Sequence, residues 1–125
     1  PIKTGVGLAR KIAADVALKL ISLGKIDTNW IHCTDVDVIL PPDYFSYTRH
    51  LNDFSAAVYP YIHRVKDGSD KIKISMLLYD LSLLHYSIGL SFAQSKFSYH
   101  TIGSTIAFDY RAYSAVRGFP QKESG

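Results

Sequence analysis

Trp30-Ile31-His32-Cys33-Thr34-Asp35-Val36-Asp37-Val38-Ile39-Leu40-Pro41-Pro42 is the stretch on which the reading of this chain turns. Trp30 to Thr34 is short and bulky and predicts a buried strand that ends at Asp35. Pro41 and Pro42 lack backbone donors and fix φ, so they close any central pairing soon after. Between the two signals stand Asp35 and Asp37, carboxylates at i and i+2 just past a strand end. Hard oxygen ligands so spaced can share a divalent cation, Mg²⁺ or Mn²⁺, and a cation held there can in turn hold a diphosphate.

Working outward, Leu8, Ile12, Val16, Leu20 and Leu23 recur at helical steps, with Ala9, Ala13, Ala17 and Ile21 widening the stripe. An amphipathic helix packed on a sheet is expected over Leu8 to Leu23, closed by Gly24. Downstream, residues 43–52 predict a short helix and 55–63 a strand that Pro60 pushes to an edge or an early end. A long helix follows from about Lys71 to Ser95. Its apolar core, Ile72 to Phe92, carries Lys73, Asp80 and His85, each costly at bilayer depth, so a buried helix is expected and not a membrane span. Residues 101–108 predict another strand, and Asp109 caps a helix over 110–116 that Gly118 ends. Helices alternating with strands imply an α/β layered domain with a mostly parallel sheet, in which ligands gather at the carboxyl ends of strands.

At 125 residues the chain has the length of one domain. Hydrophobic residues make up 47% and aromatic residues 13%, which excludes a disordered segment. The formal charge of +3 is mild and its lysines and arginines are scattered, so local anion contacts are expected and a nucleic-acid footprint is not. The single cysteine, Cys33, has no internal partner, and no signal segment opens the sequence; both favour a reducing, cytoplasmic setting. His32, His50, His63, His85 and His100 show no i, i+4 pairing, so no zinc set is expected. Burial would raise the Cys33 thiol's pKa, which speaks against a nucleophilic role.

Several segments together resemble the family 2 glycosyltransferases, inverting enzymes of the GT-A fold. Gly5-Val6-Gly7-Leu8-Ala9-Arg10-Lys11 is similar to the family's glycine-rich entry to a helix. Asp35-Val36-Asp37 followed by Leu40-Pro41-Pro42-Asp43-Tyr44-Phe45 resembles its Asp-x-Asp motif. Gly103-Ser104, then Tyr113 and Gly118-Phe119, is similar to the acceptor-side strand and glycine-phenylalanine turn. The resemblance implies a three-layer, Rossmann-like fold and transfer of a sugar from a nucleotide-diphosphate donor to an acceptor hydroxyl. It assigns Asp35 and Asp37 to Mg²⁺ or Mn²⁺, and Gly5, Gly7, Arg10, Lys11 and Asp35 to the donor. His100, Thr101, Gly103 and Ser104 fall to the acceptor, a glycan or lipid-linked glycan of the kind made in bacterial polysaccharide biosynthesis, with the whole enzyme at the inner membrane face. The family's first nucleotide-binding strand would precede Pro1 and its catalytic aspartate would follow Gly125. A single-domain central portion, inactive alone and self-associating through exposed edges, is therefore expected.

Each motif also has a plainer reading. Arg10 and Lys11 lie off an apolar stripe, where basic residues are usually solvated, and Gly103 could simply pack beneath a helix. Two other function classes stand beside the transferase: a non-catalytic interaction domain, and a basic nucleic-acid-binding domain suggested by the positive charge and nine tyrosines.

Overall fold

The computed structural model describes residues 5–100 and 105–119. Its elements in chain order are α1 (Val6–Ser22), β1 (Trp30–Cys33), a 3₁₀ turn (Tyr47–His50), β2 (Ala56–Val58), α2 (Asp70–Phe92), β3 (Ile106–Asp109) and α3 (Tyr110–Ala115). They group into two compact units, residues 5–58 with 105–119 and residues 59–100.

In the first unit the sheet has the order β1-β3-β2, and both pairings are antiparallel. Ile31 lies opposite Phe108 and Cys33 opposite Ile106; Ala57 on the other side meets Ala107. Helix and sheet are mixed as expected, but the mostly parallel, Rossmann-like sheet is corrected by this pairing. Strands β1 and β2 do run in the same direction, yet β3 enters between them in the opposite sense. The segment joining β1 to β2 carries a single 3₁₀ turn, and a parallel neighbour would need a full crossover, usually a helix.

Helix α1 covers one face of this sheet. Ala14, Ile31 and Tyr113 form its buried centre, with Ala17, Leu18, Ile21, Phe108 and Phe119 packed around them. Burying Ile31 contributes about 1.5–3 kcal/mol. The helix exists where the apolar stripe places it, but it is rotated: Ile12 and Val16 are more than half exposed. The small Ala14 lets α1 sit close to Ile31 and Tyr113, and an ion pair between Lys11 and Asp15 flanks that contact. On the opposite face Tyr44 and Thr48 are buried, and His32 meets the rings of Tyr44 at 5.2 Å and Phe45 at 5.1 Å. The helix expected over 43–52 is instead a run of turns ending in one 3₁₀ turn, with Asp43 O accepting from the backbone N–H of both Ser46 and Tyr47.

The second unit is organised around α2. The helix is present over the predicted span, but none of its residues is buried, and Ile74, Leu77, Leu78, Leu84 and Phe92 stay at least half exposed. No sheet belongs to residues 59–100 to cover them. Two side-chain contacts tie flanking segments to the helix. Asp80 accepts from His63 through its ring Nδ1 at 2.5 Å and its backbone N–H at 3.1 Å, and Ser87 Oγ lies 2.9 Å from His100 Nδ1. No helix of the described residues is long and apolar enough to cross a membrane.

Asp109 ends β3 and begins α3, its carboxylate accepting from the backbone N–H of Arg111 and Ala112. The Arg111 guanidinium, also bonded to it, holds this carboxyl below its ordinary value. Replacing Asp109 by Ala is expected to cost about 1–2 kcal/mol in urea unfolding. Because the folded value is lowered, the stabilisation is present above the ordinary carboxylate range and fades as pH falls through the lowered one. The loss on Asp109→Ala should therefore shrink in acid.

Candidate functional site

Strand β1 ends at Cys33, and the chain turns at once. Val38 N donates to Asp35 O at 3.4 Å, closing a tight turn with Val36 fully exposed at its tip. Asp35 and Asp37 are both exposed there, two residues apart on one turn. They do not point into packed interior.

The partner of Asp35 comes from α1. Arg10 Nη2 donates to Asp35 Oδ1 at 2.6 Å, bridging 25 positions of sequence. Arg10 sits one turn into a helix whose N-cap is Gly5, in extended backbone, with Gly5 O accepting from Leu8 and Ala9. Gly7 lies inside the first turn of the helix and not in the bend that precedes it. No acidic side chain occupies that turn, so the unsatisfied amides and the positive end of the helix dipole share a neighbourhood with a cationic side chain.

Lys11, one position on, faces a second cluster. Its Nζ lies 3.0 Å from Asp15 Oδ2 and 3.5 Å from Arg117 O. Tyr113 Oη donates to Asp15 Oδ1 at 2.9 Å. Lys11, then Tyr113, holds the Asp15 carboxyl below its ordinary value. Burial, then the bond to Asp15, pushes the Tyr113 phenol up to about 12. Gly118 closes the cluster with φ +76°, and a Cβ there would stand 2.8 Å from Tyr113 Oη and 3.1 Å from Lys11 Nζ. Phe119 packs on the rings of Phe108 and Tyr113. The glycine-phenylalanine turn is thereby fixed against α1.

Gly5, Arg10, Lys11 and Asp35 accordingly belong to one unit, with Arg10 and Asp35 in direct contact and Asp37 on the same turn. His100 belongs to the second unit, bonded to Ser87. Thr101, Gly103 and Ser104 lie outside the described residues. Sequence reading missed the tie between Asp15 and Tyr113, for which the i, i+4 spacing of Lys11 and Asp15 was half a signal. It also missed His63 with Asp80, for which no sequence spacing is diagnostic. Cys33 is half-buried, and that burial raises its thiol pKa.

Two exposed carboxylates with oxygen-only chemistry suit Mg²⁺ or Mn²⁺, ions commonly held by one or two carboxylates together with substrate phosphates. Among the described residues no group of three or more His, Cys, Asp or Glu gathers as a closed metal cage. A site completed by phosphate oxygens and water needs no such cage. No family model, curated protein or solved structure matches the chain.

Gly118→Ala combines a left-handed backbone position with a clash on Tyr113, and should cost about 1–3 kcal/mol in chemical unfolding. In an ultraviolet titration of the folded protein, one phenol absent from Tyr113→Phe should ionise near pH 12. Since that folded value lies above the unfolded one, the Tyr113 contribution is complete below about pH 10 and is lost as pH rises through about 12.

Proposed function

We propose that the first unit is the donor-binding part of a family 2-like glycosyltransferase, which takes a nucleotide-diphosphate sugar with Mg²⁺ or Mn²⁺ at Asp35 and Asp37. The observation that carries this reading is the 2.6 Å contact between Arg10 and Asp35. It joins two motifs that the resemblance treats as parts of one site, the glycine-entered helix and the Asp-x-Asp turn, across 25 positions of sequence.

The pair is partly exposed on both sides, 28% for Arg10 and 46% for Asp35, so its net worth is about 0–1 kcal/mol. Such a pair exchanges partners at little cost. With a donor present, Arg10 is positioned to turn its planar fork to a phosphate, which it can grip through two bonds. Asp35 is then released, with Asp37, to the cation. When bound, the cation supplies Lewis-acid stabilisation of the charge on the departing nucleoside diphosphate. Lys11 is engaged with Asp15 and the Arg117 carbonyl, so its part is to hold the α1 surface and the Gly118 turn in register. Sugar transfer breaks the bond from the anomeric carbon to the diphosphate as the acceptor oxygen bonds to that carbon. Its proton goes to a base that the resemblance puts after Gly125.

The acceptor is proposed to be a glycan or lipid-linked glycan. The exposed apolar α2 supports self-association of the chain. Uridine and guanosine diphosphate-sugars should bind in calorimetric titration with Mn²⁺ and at least tenfold more weakly without it. Asp37→Ala should abolish the metal effect. Arg10→Ala should weaken binding by about 1.5–3 kcal/mol through the lost charge-assisted phosphate contact. Metal-indifferent binding, or salt-sensitive binding to single-stranded nucleic acid in its place, would reject the proposal.

A further inference from the structure

Helix α2 is not the same all round. Met76, Asp80, Leu83, Ser87 and Leu90 recur at steps of four and three and are its partly buried residues. That face takes both ties from the flanking segments, His63 to Asp80 and His100 to Ser87, so the unit's own chain is spent there. About a third of a turn further round stand Ile74, Leu77, Leu81, Leu84 and Ile88, each at least 50% exposed. Ser75, Ser82 and Gly89 make a third, small and polar face.

The open row has a period of its own. From Ile74 to Ile88 its steps alternate three, four, three, four, which averages 3.5 residues and not the 3.6 of a straight helix. A row so spaced drifts about 20° per heptad around a straight helix, and it stays in line only when two helices wind about each other. In heptad terms Ile74, Leu81 and Ile88 take the a positions, and Leu77 and Leu84 the d positions. Isoleucine at a with leucine at d favours two strands running parallel.

We infer that this row is the seam of a parallel, two-stranded coiled coil made with α2 of a second copy of the chain. The spacing calls for a helix as the occupant, and the charges point to the same helix from another copy. In a two-fold pair each seam residue meets its own counterpart, and the row holds no charged side chain, so no like charges are brought together. The flanks agree. In a parallel pair Lys73 of one copy faces Leu78 of the other, and Asp80 faces His85, a carboxylate beside an imidazole. The seam also lies clear of the face that the flanking segments use, so pairing leaves the contacts of His63 and His100 in place.

The inference rests on the self-association proposed above, to which it gives a surface, a register and a direction, and on nothing at the donor site. Sedimentation equilibrium of the whole chain should show a monomer and dimer in exchange. Leu84→Glu should weaken the dimer at least tenfold with the helical circular dichroism unchanged, because Leu84 is 53% exposed and outside any core. Ser82→Glu, on the polar face, should leave the dimer as it is. For direction, Leu77→Cys in a Cys33→Ser background should form a disulfide-linked dimer at least tenfold faster than Ser82→Cys in the same background, since a d position meets its own counterpart only in a parallel pair. A chain still monomeric at about 1 mM would overturn the seam and the self-association together. A dimer that Leu84→Glu leaves intact would overturn the seam alone, and equal oxidation of the two cysteines would overturn its direction.

Discussion

The bond from the Tyr113 hydroxyl to Asp15, buttressed by Lys11, is the constraint on which the first unit depends. It spans 98 positions and fastens the middle of α1 to α3. Everything between them in space follows: Ala14 and Ile31 are enclosed, Gly118 must be a glycine, and Phe119 has two rings to pack on. With the middle of α1 fixed, its first turns lie beside the exit of β1, where Arg10 finds Asp35. A tie anchored on the buried Tyr113 ring thus positions a surface pair of small worth. Under the proposed function the scaffold stays while Arg10 and Asp35 exchange each other for the ligand.

Local punctuation made much of this unit legible. Asp109 as a cap, Gly118 as a stop and Gly24 at φ +65° after α1 each act through the backbone of their immediate neighbours, so sequence reports them directly. Strand direction is different. Whether β1 lies beside β2 or β3 is decided by contacts across more than 70 positions, and no local residue encodes it. The rotation of α1 was hidden for another reason. Apolar residues surround much of the helix, and the true inner face is marked by alanines and a tyrosine-bound aspartate, while the larger Ile12 and Val16 remain outside.

The candidate site shows the same division. The pair Asp35 and Asp37 was visible as spacing, and Arg10 as a cation after a glycine-rich start, but their contact was not visible, since it depends on how α1 crosses β1. In the second unit the tie between His63 and Asp80 had no sequence mark at all, and the apolar run of α2 pointed to a burial that residues 59–100 do not provide. The exposed α2 is an apolar surface of the kind a folded chain tends to cover.

Paramagnetic broadening by Mn²⁺ in amide spectra tests the central claim most directly, since it reports proximity without requiring turnover. With a nucleoside diphosphate present, signals of residues 34–38 and of residues 8–11 should broaden together, and Asp37→Ala should remove both effects. Broadening that spares either segment, or that persists in Asp37→Ala, would contradict the account.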